Sequence, residues 1–167
     1  MTTQRETGKG MAPVAYIEQV RRMFPNDPPY QWTVNANSPW VPMARSVRDC
    51  RIALISSGGI YHRTQAPFDS VKNDLTFREI PKDVDMAELQ VSHYSPKAKK
   101  VQDLNTIFPL QRLRELEAKG VIAALASPAF TFMGRIFTRT RLQKEMAPHL
   151  IDRLRTMNVD AAFLVPV

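Results

Sequence analysis

Cysteine is almost absent from this sequence, which has only Cys50 in 167 residues. A single cysteine cannot form an internal disulfide, so a disulfide-stapled secreted domain is excluded and a reducing, cytoplasmic compartment is expected. No stretch approaches the ~20 consecutive apolar residues of a membrane-spanning helix, so no membrane partner is expected. Residues 1–10 contain no apolar segment typical of a signal peptide, and we predict a disordered tail there.

Motifs for catalysis and for cofactors are missing as well. The three histidines, His62, His93 and His149, have no regular spacing and form no metal-ligand cluster. Gly58-Gly59 follows an apolar run but is not part of the G-x-G-x-x-G fingerprint of dinucleotide-binding proteins. No Ser-His-Asp or Cys-His set can be assembled by spacing, and the lone cysteine is expected to be inert. We therefore predict no metal site and no cofactor within this chain.

Acidic residues are in the minority, with 16 against 23 Lys and Arg, which gives a net charge of +7. An excess of positive charge raises the question of a nucleic-acid partner. The basic residues are spread along the chain, and the densest cluster, Lys97, Lys99 and Lys100, has no interleaved aromatic residues. Because nucleic-acid binding needs a clustered basic face, we predict a solvated loop there and no nucleic-acid partner.

Apolar runs and helical patterns alternate from Arg51 onward. Three runs are predicted to be buried strands: Arg51–Ser57, Val121–Ala126 and Ala161–Val167. Helices are predicted from Pro109 to Gly120 and from Arg139 to Met157, with a kink at Pro148. This alternation is typical of βαβ units. We therefore predict an α/β fold with a Rossmann-like, doubly wound, mainly parallel sheet that is incomplete at the C-terminus.

Shorter segments have weaker patterns. Leu75–Ile80 alternates apolar and polar residues before a proline, which predicts an edge strand, and residues 130–134 are predicted to be an apolar turn. A short amphipathic helix is predicted over Val14–Met23, followed by an extended arm rich in proline and aromatic residues. The predicted organisation is a tail at 1–10, a helix and arm at 11–50, and the N-terminal part of an α/β domain at 51–167.

Several segments carry a resemblance through their order and spacing. They are Arg51–Ile60, Phe77–Pro81, Val91–His93, Phe108–Leu113, Phe132–Gly134 and Val159–Val167, together with an arm that contains Tyr16-Ile-Glu18 and Pro28–Trp32. Over roughly residues 12–167, the sequence resembles the selenoprotein B family of glycine, sarcosine and betaine reductases, which includes the D-proline reductase subunit.

The resemblance implies a redox motif directly after the strand Ala161–Val167. The motif begins with selenocysteine or cysteine, then has two intervening residues, a cysteine and usually a histidine. Since this chain lacks the motif, the catalytic group is expected immediately after Val167, and none is expected within the chain. A UGA codon read as a stop would explain the end at Val167. A gene model that ends there, or a natural terminus, is the alternative.

The function implied by the resemblance is reductive cleavage of a glycine-, betaine-, sarcosine- or D-proline-like small molecule by that selenol or thiol. The electrons would come from a dithiol, or from a thiol or selenoprotein reductase partner, and this chain alone is expected to be inactive. The rival hypothesis is a non-catalytic α/β scaffold or partner-binding protein. Oligomerisation is left open by the sequence.

Candidate cleft residues follow from the predicted parallel sheet. Gly58, Gly59 and His62 come after the first strand, and His93 and Asn105 flank a polar loop before the next helix. Because the carboxyl ends of parallel strands share one edge, we predict that these five residues border a cleft beside the last strand. A histidine at that edge could give a proton to a leaving group or polarise a substrate.

Overall fold

The computed structural model describes residues 16–26, 36–37 and 40–167, and it divides the chain into two units, residues 1–41 and residues 42–167. The first unit contains helix α1, Tyr16–Met23, where Arg22 and Glu18 form an exposed ion pair at 3.9 Å. The predicted helix over Val14–Met23 therefore coincides with α1 in its described part. Most of the predicted arm, including residues 27–35, lies outside the described residues.

A mixed, mostly parallel sheet forms the centre of the second unit. Strand β1, Arg51–Ser56, is parallel to β7, Ala161–Val165, on one side, and to β5, Ala124–Leu125, and β6, Ala129–Phe132, on the other. Strand β3, Phe77–Ile80, is antiparallel to β6 and forms the edge beyond it, as its alternating pattern predicted. The α/β class and the mainly parallel sheet are therefore confirmed.

Strand β1 lies at the middle of the sheet, with strands paired to both of its edges, and both of its faces are covered. Its residues after Arg51 are all buried. Ile52 and Leu54 pack in a cluster with the buried leucines of helix α3, Leu110–Ala118, whereas Ile55 packs with Leu150. Since side chains alternate along a strand, helices cover the two opposite faces of β1. A continuous apolar run is the pattern expected of such a strand.

Helix α3 ends as its sequence predicts. Gly120 adopts φ +66, and the N–H of Val121 donates to the carbonyl of Leu116 at 2.9 Å. Near its C-terminal end, Glu117 ties the helix to the sheet by accepting hydrogen bonds from the N–H of Leu125 and from Lys82 Nζ, each at 2.9 Å. Burial alone would raise the pKa of Glu117, but these hydrogen bonds outweigh it, so the pKa lies below its usual value.

The predicted helix over residues 139–157 contains an interruption. Helix α4, Arg139–Arg141, leads into a π-helical turn, Leu142–Met146, and then into helix α5, Ala147–Thr156. Pro148 lies in the first turn of α5. Since proline has no N–H, it cannot donate to a carbonyl one turn back, and the wider π turn accommodates this gap.

One prediction about the strands was wrong, and another was confirmed only in part. Residues 130–134 were expected to form a turn, but residues 129–132 form β6, and only Ala124–Leu125 of the expected strand Val121–Ala126 is extended in the sheet. Phe130 pairs with Glu79 of β3, and the Phe130 side chain is buried. Pro128 lies just before this strand. Proline is tolerated at the position just before a strand, because its missing N–H costs no hydrogen bond between strands there.

Strand β7 forms as predicted, but it is not buried. Phe163 is 49% exposed and Leu164 is 67% exposed. The pairing explains this, because β7 is hydrogen-bonded to β1 on one side and no other described strand pairs with its second edge. The apolar run therefore predicted the strand correctly, but the prediction that the strand is buried was wrong.

A two-stranded sheet and short helical turns complete the second unit. Strand β2, Ile60–His62, is antiparallel to β4, Leu89–Val91. Helix α2 spans Pro96–Lys99, within the segment predicted to be a solvated loop. The 3₁₀ turns are Val47–Asp49, Met86–Glu88 and Leu104–Thr106. Among the described residues, no helix is both long enough and apolar enough to cross a membrane.

Candidate functional site at the carboxyl edge of the sheet

Three strand ends meet at Ser57, directly after β1. The N–H of Ser57 donates to the carbonyl of Val165 at 3.1 Å, and its Oγ accepts from the N–H of Val167 at 2.9 Å. The carbonyl of Ser57 accepts from the N–H of Gly134, two residues past β6, at 3.1 Å. Ser57 therefore holds the ends of β7 and β6 together at the carboxyl edge, where parallel sheets place their functional groups.

Gly58 and Gly59 continue the chain across this edge. The N–H of Gly58 donates to Ser56 Oγ at 3.0 Å, and the N–H of Gly59 donates to the carbonyl of Phe132 at 2.9 Å. Since both amides are engaged within the protein, they are not available to cradle a phosphate. Gly59 has φ +65 and accepts from the N–H of Ser92 at 2.9 Å, which brings the segment before His93 against the sheet end.

His93 is buried beside these strand ends, with only 1% of its surface exposed. Its Nδ1 accepts a hydrogen bond from the N–H of Ser95 at 3.1 Å. Its Nε2 has no hydrogen-bond partner among the described residues. A methyl group added at Gly134 would lie 3.7 Å from His93 Nε2 and 3.6 Å from the carbonyl oxygen of Val167. The absent side chain of Gly134 therefore leaves a space between the imidazole and the end of the last strand.

The surroundings of His93 are aromatic and positively charged. The Tyr94 ring lies 4.5 Å from the imidazole, between ring centroids, and the guanidinium of Arg135 lies over the Tyr94 ring at 5.0 Å from its centroid. Burial, and then the positive charge of Lys99, lower the pKa of His93 below its usual value. The imidazole is therefore neutral at pH 7.

His62 belongs to a different polar cluster. It lies in β2, where its Nε2 is 3.0 Å from a Glu88 carboxylate oxygen and its Nδ1 is 2.7 Å from Thr64 Oγ1. The hydrogen bond from His62, followed by the charge of Arg63, lowers the pKa of Glu88. His62 lines an open, acidic pocket of about 520 Å³ with Glu79, Pro81, Asp83, Val84, Asp85 and neighbouring residues, and His93 is not part of its lining.

Asn105 lies in the 3₁₀ turn before α3. Its Nδ2 donates to Asp103 Oδ1 at 2.9 Å, and its buried Oδ1 has no hydrogen-bond partner in the described part of the chain. Asn105 shares a groove of about 680 Å³ with the last residues of β7. The groove is lined mainly by apolar side chains, including Met43, Val47, Leu113, Leu116, Phe163 and Leu164.

The predicted cleft residues are thus divided by the structure. Gly58, Gly59 and His93 are joined at the end of β1 through backbone contacts. Asn105 lies along the apolar groove beside β7, and His62 lines the separate acidic pocket.

Comparison with known proteins identifies the family. The model of the glycine/sarcosine/betaine reductase selenoprotein B family matches residues 29–166. The chain belongs to this family. The D-proline reductase subunit gamma of Acetoanaerobium sticklandii is 30% identical over 126 residues, which cover 75% of this chain and 52% of that protein. This chain therefore spans about half the length of that curated relative. No solved structure matches it.

The family membership confirms the resemblance seen in the sequence, yet two residues of the site were not named from it. Ser57 and Gly134 were missed because their roles come from backbone contacts between segments far apart in the chain. The feature of the sequence that could have pointed to Ser57 is its position directly after the apolar run of β1. Gly134 stood in a segment that was expected to be a turn.

Cys50 lies at the opposite end of β1 from this site. It is buried, and its Sγ donates a weak hydrogen bond to the carbonyl of Ser46 at 3.2 Å. No group of three His, Cys, Asp or Glu in the described ranges is arranged to hold a metal ion.

Proposed function

We propose that this chain forms the sheet and the carboxyl-edge site of a selenoprotein B-type reductase subunit. In this proposal the subunit cleaves a carbon–heteroatom bond in a small molecule of the glycine, sarcosine, betaine or D-proline type. The reacting group is a selenol or thiol on the residue that follows Val167. The proposal extends to a Rossmann-like domain in the full-length protein, to an extended N-terminal arm and to a cytoplasmic location.

One observation carries the proposal, namely the convergence of Ser57, Gly134 and Val167 beside the buried imidazole of His93. The N–H of Val167 is held by Ser57 Oγ, so the Pro166–Val167 peptide is anchored at the carboxyl edge. Gly134 keeps a space open next to the Val167 carbonyl. An anchored strand end beside an open space and a buried polar group is a suitable support for a reacting side chain.

A selenol or thiol at this position supplies a strong nucleophile. The overall reaction breaks one carbon–heteroatom bond of the substrate. Two thiols of a dithiol or a protein partner provide the two electrons and become a disulfide, and their two protons go to the carbon and the heteroatom of the broken bond. The residues of this chain hold the reacting group in place, since Ser57 fixes the strand end and the neutral imidazole of His93 presents its Nε2 to the space over Gly134.

The test uses the full-length protein with a dithiol and each of four substrates: glycine, sarcosine, betaine and D-proline. We expect dithiol-dependent turnover of at least one substrate. Replacing the residue after Val167 with serine should abolish it, whereas the matched control Cys50→Ser should leave it unchanged. Turnover by the 167-residue chain that is lost in Cys50→Ser would contradict the proposal, as would full-length protein that turns over none of the four.

The second candidate function is partner binding without catalysis. It is favoured by the apolar groove beside β7, where Phe163 and Leu164 are exposed. The relative's name designates one subunit, gamma, of an enzyme, which is consistent with protein contacts. Purification of the full-length protein as a stable complex that shows no dithiol-dependent turnover would support this alternative over the reductase.

A further inference from the structure

The hydrogen bonds of His93 determine where its proton lies. Nδ1 accepts a hydrogen bond from the N–H of Ser95, so Nδ1 carries no proton. Burial lowers the pKa of His93, which keeps the ring neutral at pH 7. A neutral imidazole whose Nδ1 is an acceptor must carry its hydrogen on Nε2. His93 therefore presents an N–H donor from Nε2.

This donor has no acceptor among the described residues, although His93 is 1% exposed. Buried donors are nearly always hydrogen-bonded, and an orphaned one indicates a group that is missing from its surroundings. Nε2 faces the space over Gly134, and the carbonyl oxygen of Val167 borders the same space. The missing acceptor is therefore expected next to the end of β7.

We infer that the Nε2–H of His93 donates a hydrogen bond to the anionic selenium or sulfur of the residue that follows Val167. This inference rests on the proposed function, and it gives His93 a different role from that of a proton donor. The Nε2–H of a neutral imidazole is too weakly acidic to release its proton to a leaving group near pH 7, but it is well suited to stabilise an anion. His93 thus stabilises the deprotonated form of the nucleophile.

Other groups near His93 influence the same anion. Lys99 contributes positive charge, Arg135 lies over the ring of Tyr94, and Tyr94 itself packs against the imidazole. Both cations favour the anionic form of the nucleophile, as the Nε2–H does. The contribution of His93 must therefore be measured in variants that keep these three side chains.

The first experiment is independent of the residue after Val167. Nitrogen-15 NMR of the histidine rings in the 167-residue chain at pH 7 reports which ring nitrogen carries the proton. We expect His93 to be neutral with its hydrogen on Nε2, and the signals of His149, which is exposed on α5, serve as the comparison within the same chain. A protonated ring, or a neutral ring with its hydrogen on Nδ1, would overturn the inference.

The second experiment measures the pKa of the nucleophile in the full-length protein from the pH dependence of its alkylation by iodoacetamide. His93→Leu removes the donor and should raise this pKa by about one unit or more, which corresponds to a tenfold lower anion fraction on the acid side. His93→Gln, whose amide can donate from a similar position, should restore part of the shift. The matched control His149→Leu should have no effect.

Gly134→Ala provides a variant that leaves His93 in place. The added methyl group has only ordinary contacts of 3.6–3.7 Å, so the fold should tolerate it, but it occupies the space between Nε2 and Val167. We expect the same direction of pKa shift as in His93→Leu.

The outcomes separate this inference from the proposed function. A nucleophile that is alkylated with the same pKa in wild type, His93→Leu and Gly134→Ala refutes the role of His93 and leaves the reductase proposal standing. A full-length protein in which no selenium or sulfur after Val167 is alkylated refutes the proposed function, and the role of His93 with it.

Discussion

Gly59 lies where the backbone of the site leaves no room for a side chain, and Gly59→Ala tests this directly. Gly59 and Gly120 have almost the same positive φ, +65 and +66, so alanine is strained by the same amount at either position, about 1–2 kcal/mol. They differ in the space around them. A Cβ at Gly120 meets nothing within 4 Å, whereas one at Gly59 would come closer than 3.0 Å to the carbonyl oxygen of Ser92.

The backbone at Gly59 must therefore move in the variant. Its hydrogen bonds with Ser92 and Phe132, both 2.9 Å, are then weakened, and each contributes about 1 kcal/mol. We expect Gly59→Ala to lower the free energy of unfolding by about 3–4 kcal/mol, and Gly120→Ala to lower it by only the strain of about 1–2 kcal/mol. Urea unfolding of both variants at pH 7 measures the difference. Equal destabilisation of the two would refute the close packing of Gly59 against the segment that carries His93.

Three further predictions concern association and pH. Leu164→Ser should reduce concentration-dependent self-association in analytical ultracentrifugation, because Leu164 is 67% exposed on a strand whose second edge no described strand pairs with, whereas Ile151→Ser, at 46% exposure on a helix, should change it little. The lowered pKa of Glu117 means that the ionised carboxylate stabilises the fold above the usual glutamate range, and that this stability is lost as the pH falls below about 4.5. Glu117→Gln should therefore make the free energy of unfolding depend less steeply on pH at acid pH. The same steepness in the variant and the wild type would contradict the contacts of Glu117. The lowered pKa of His93 means that the unfolded chain binds a proton that the folded chain does not. Stability should therefore fall as the pH drops below about 6.5, and His93→Gln should remove this part of the loss in thermal unfolding between pH 7 and pH 5.

The sequence predicted those helices and strands whose evidence lies within a single segment of the chain. The apolar run of β1 and the end of α3 at Gly120 follow from side-chain burial and backbone conformation within one segment. Strand β6 was missed because its evidence is its pairing with β1 and β3, which are distant in sequence. The exposure of β7 could not be predicted either, since an apolar run specifies a strand but not which neighbours cover it.

In the candidate site, too, some features could be predicted from a single segment of the sequence and others could not. The sequence predicted that Gly58-Gly59 lies at a strand end, because the two glycines follow the apolar run of β1. The rule that functional groups gather at the carboxyl ends of parallel strands pointed to His93. The separation of His62 from His93 depends on β2 pairing with β4, a small sheet that the sequence pattern did not predict. The role of Ser57 as the junction of three strand ends required the register of the sheet.

The central claim is that a selenium- or sulfur-bearing residue follows Val167 at the carboxyl edge of the sheet. Mass spectrometry of the native protein tests it most directly, through the alkylated tryptic peptide that begins at Thr156 and contains β7. The account predicts that this peptide continues past Val167 into an alkylated selenocysteine, recognisable by its selenium isotope pattern, or into an alkylated cysteine. A peptide that ends at Val167, or one that continues with any other amino acid, would contradict the claim.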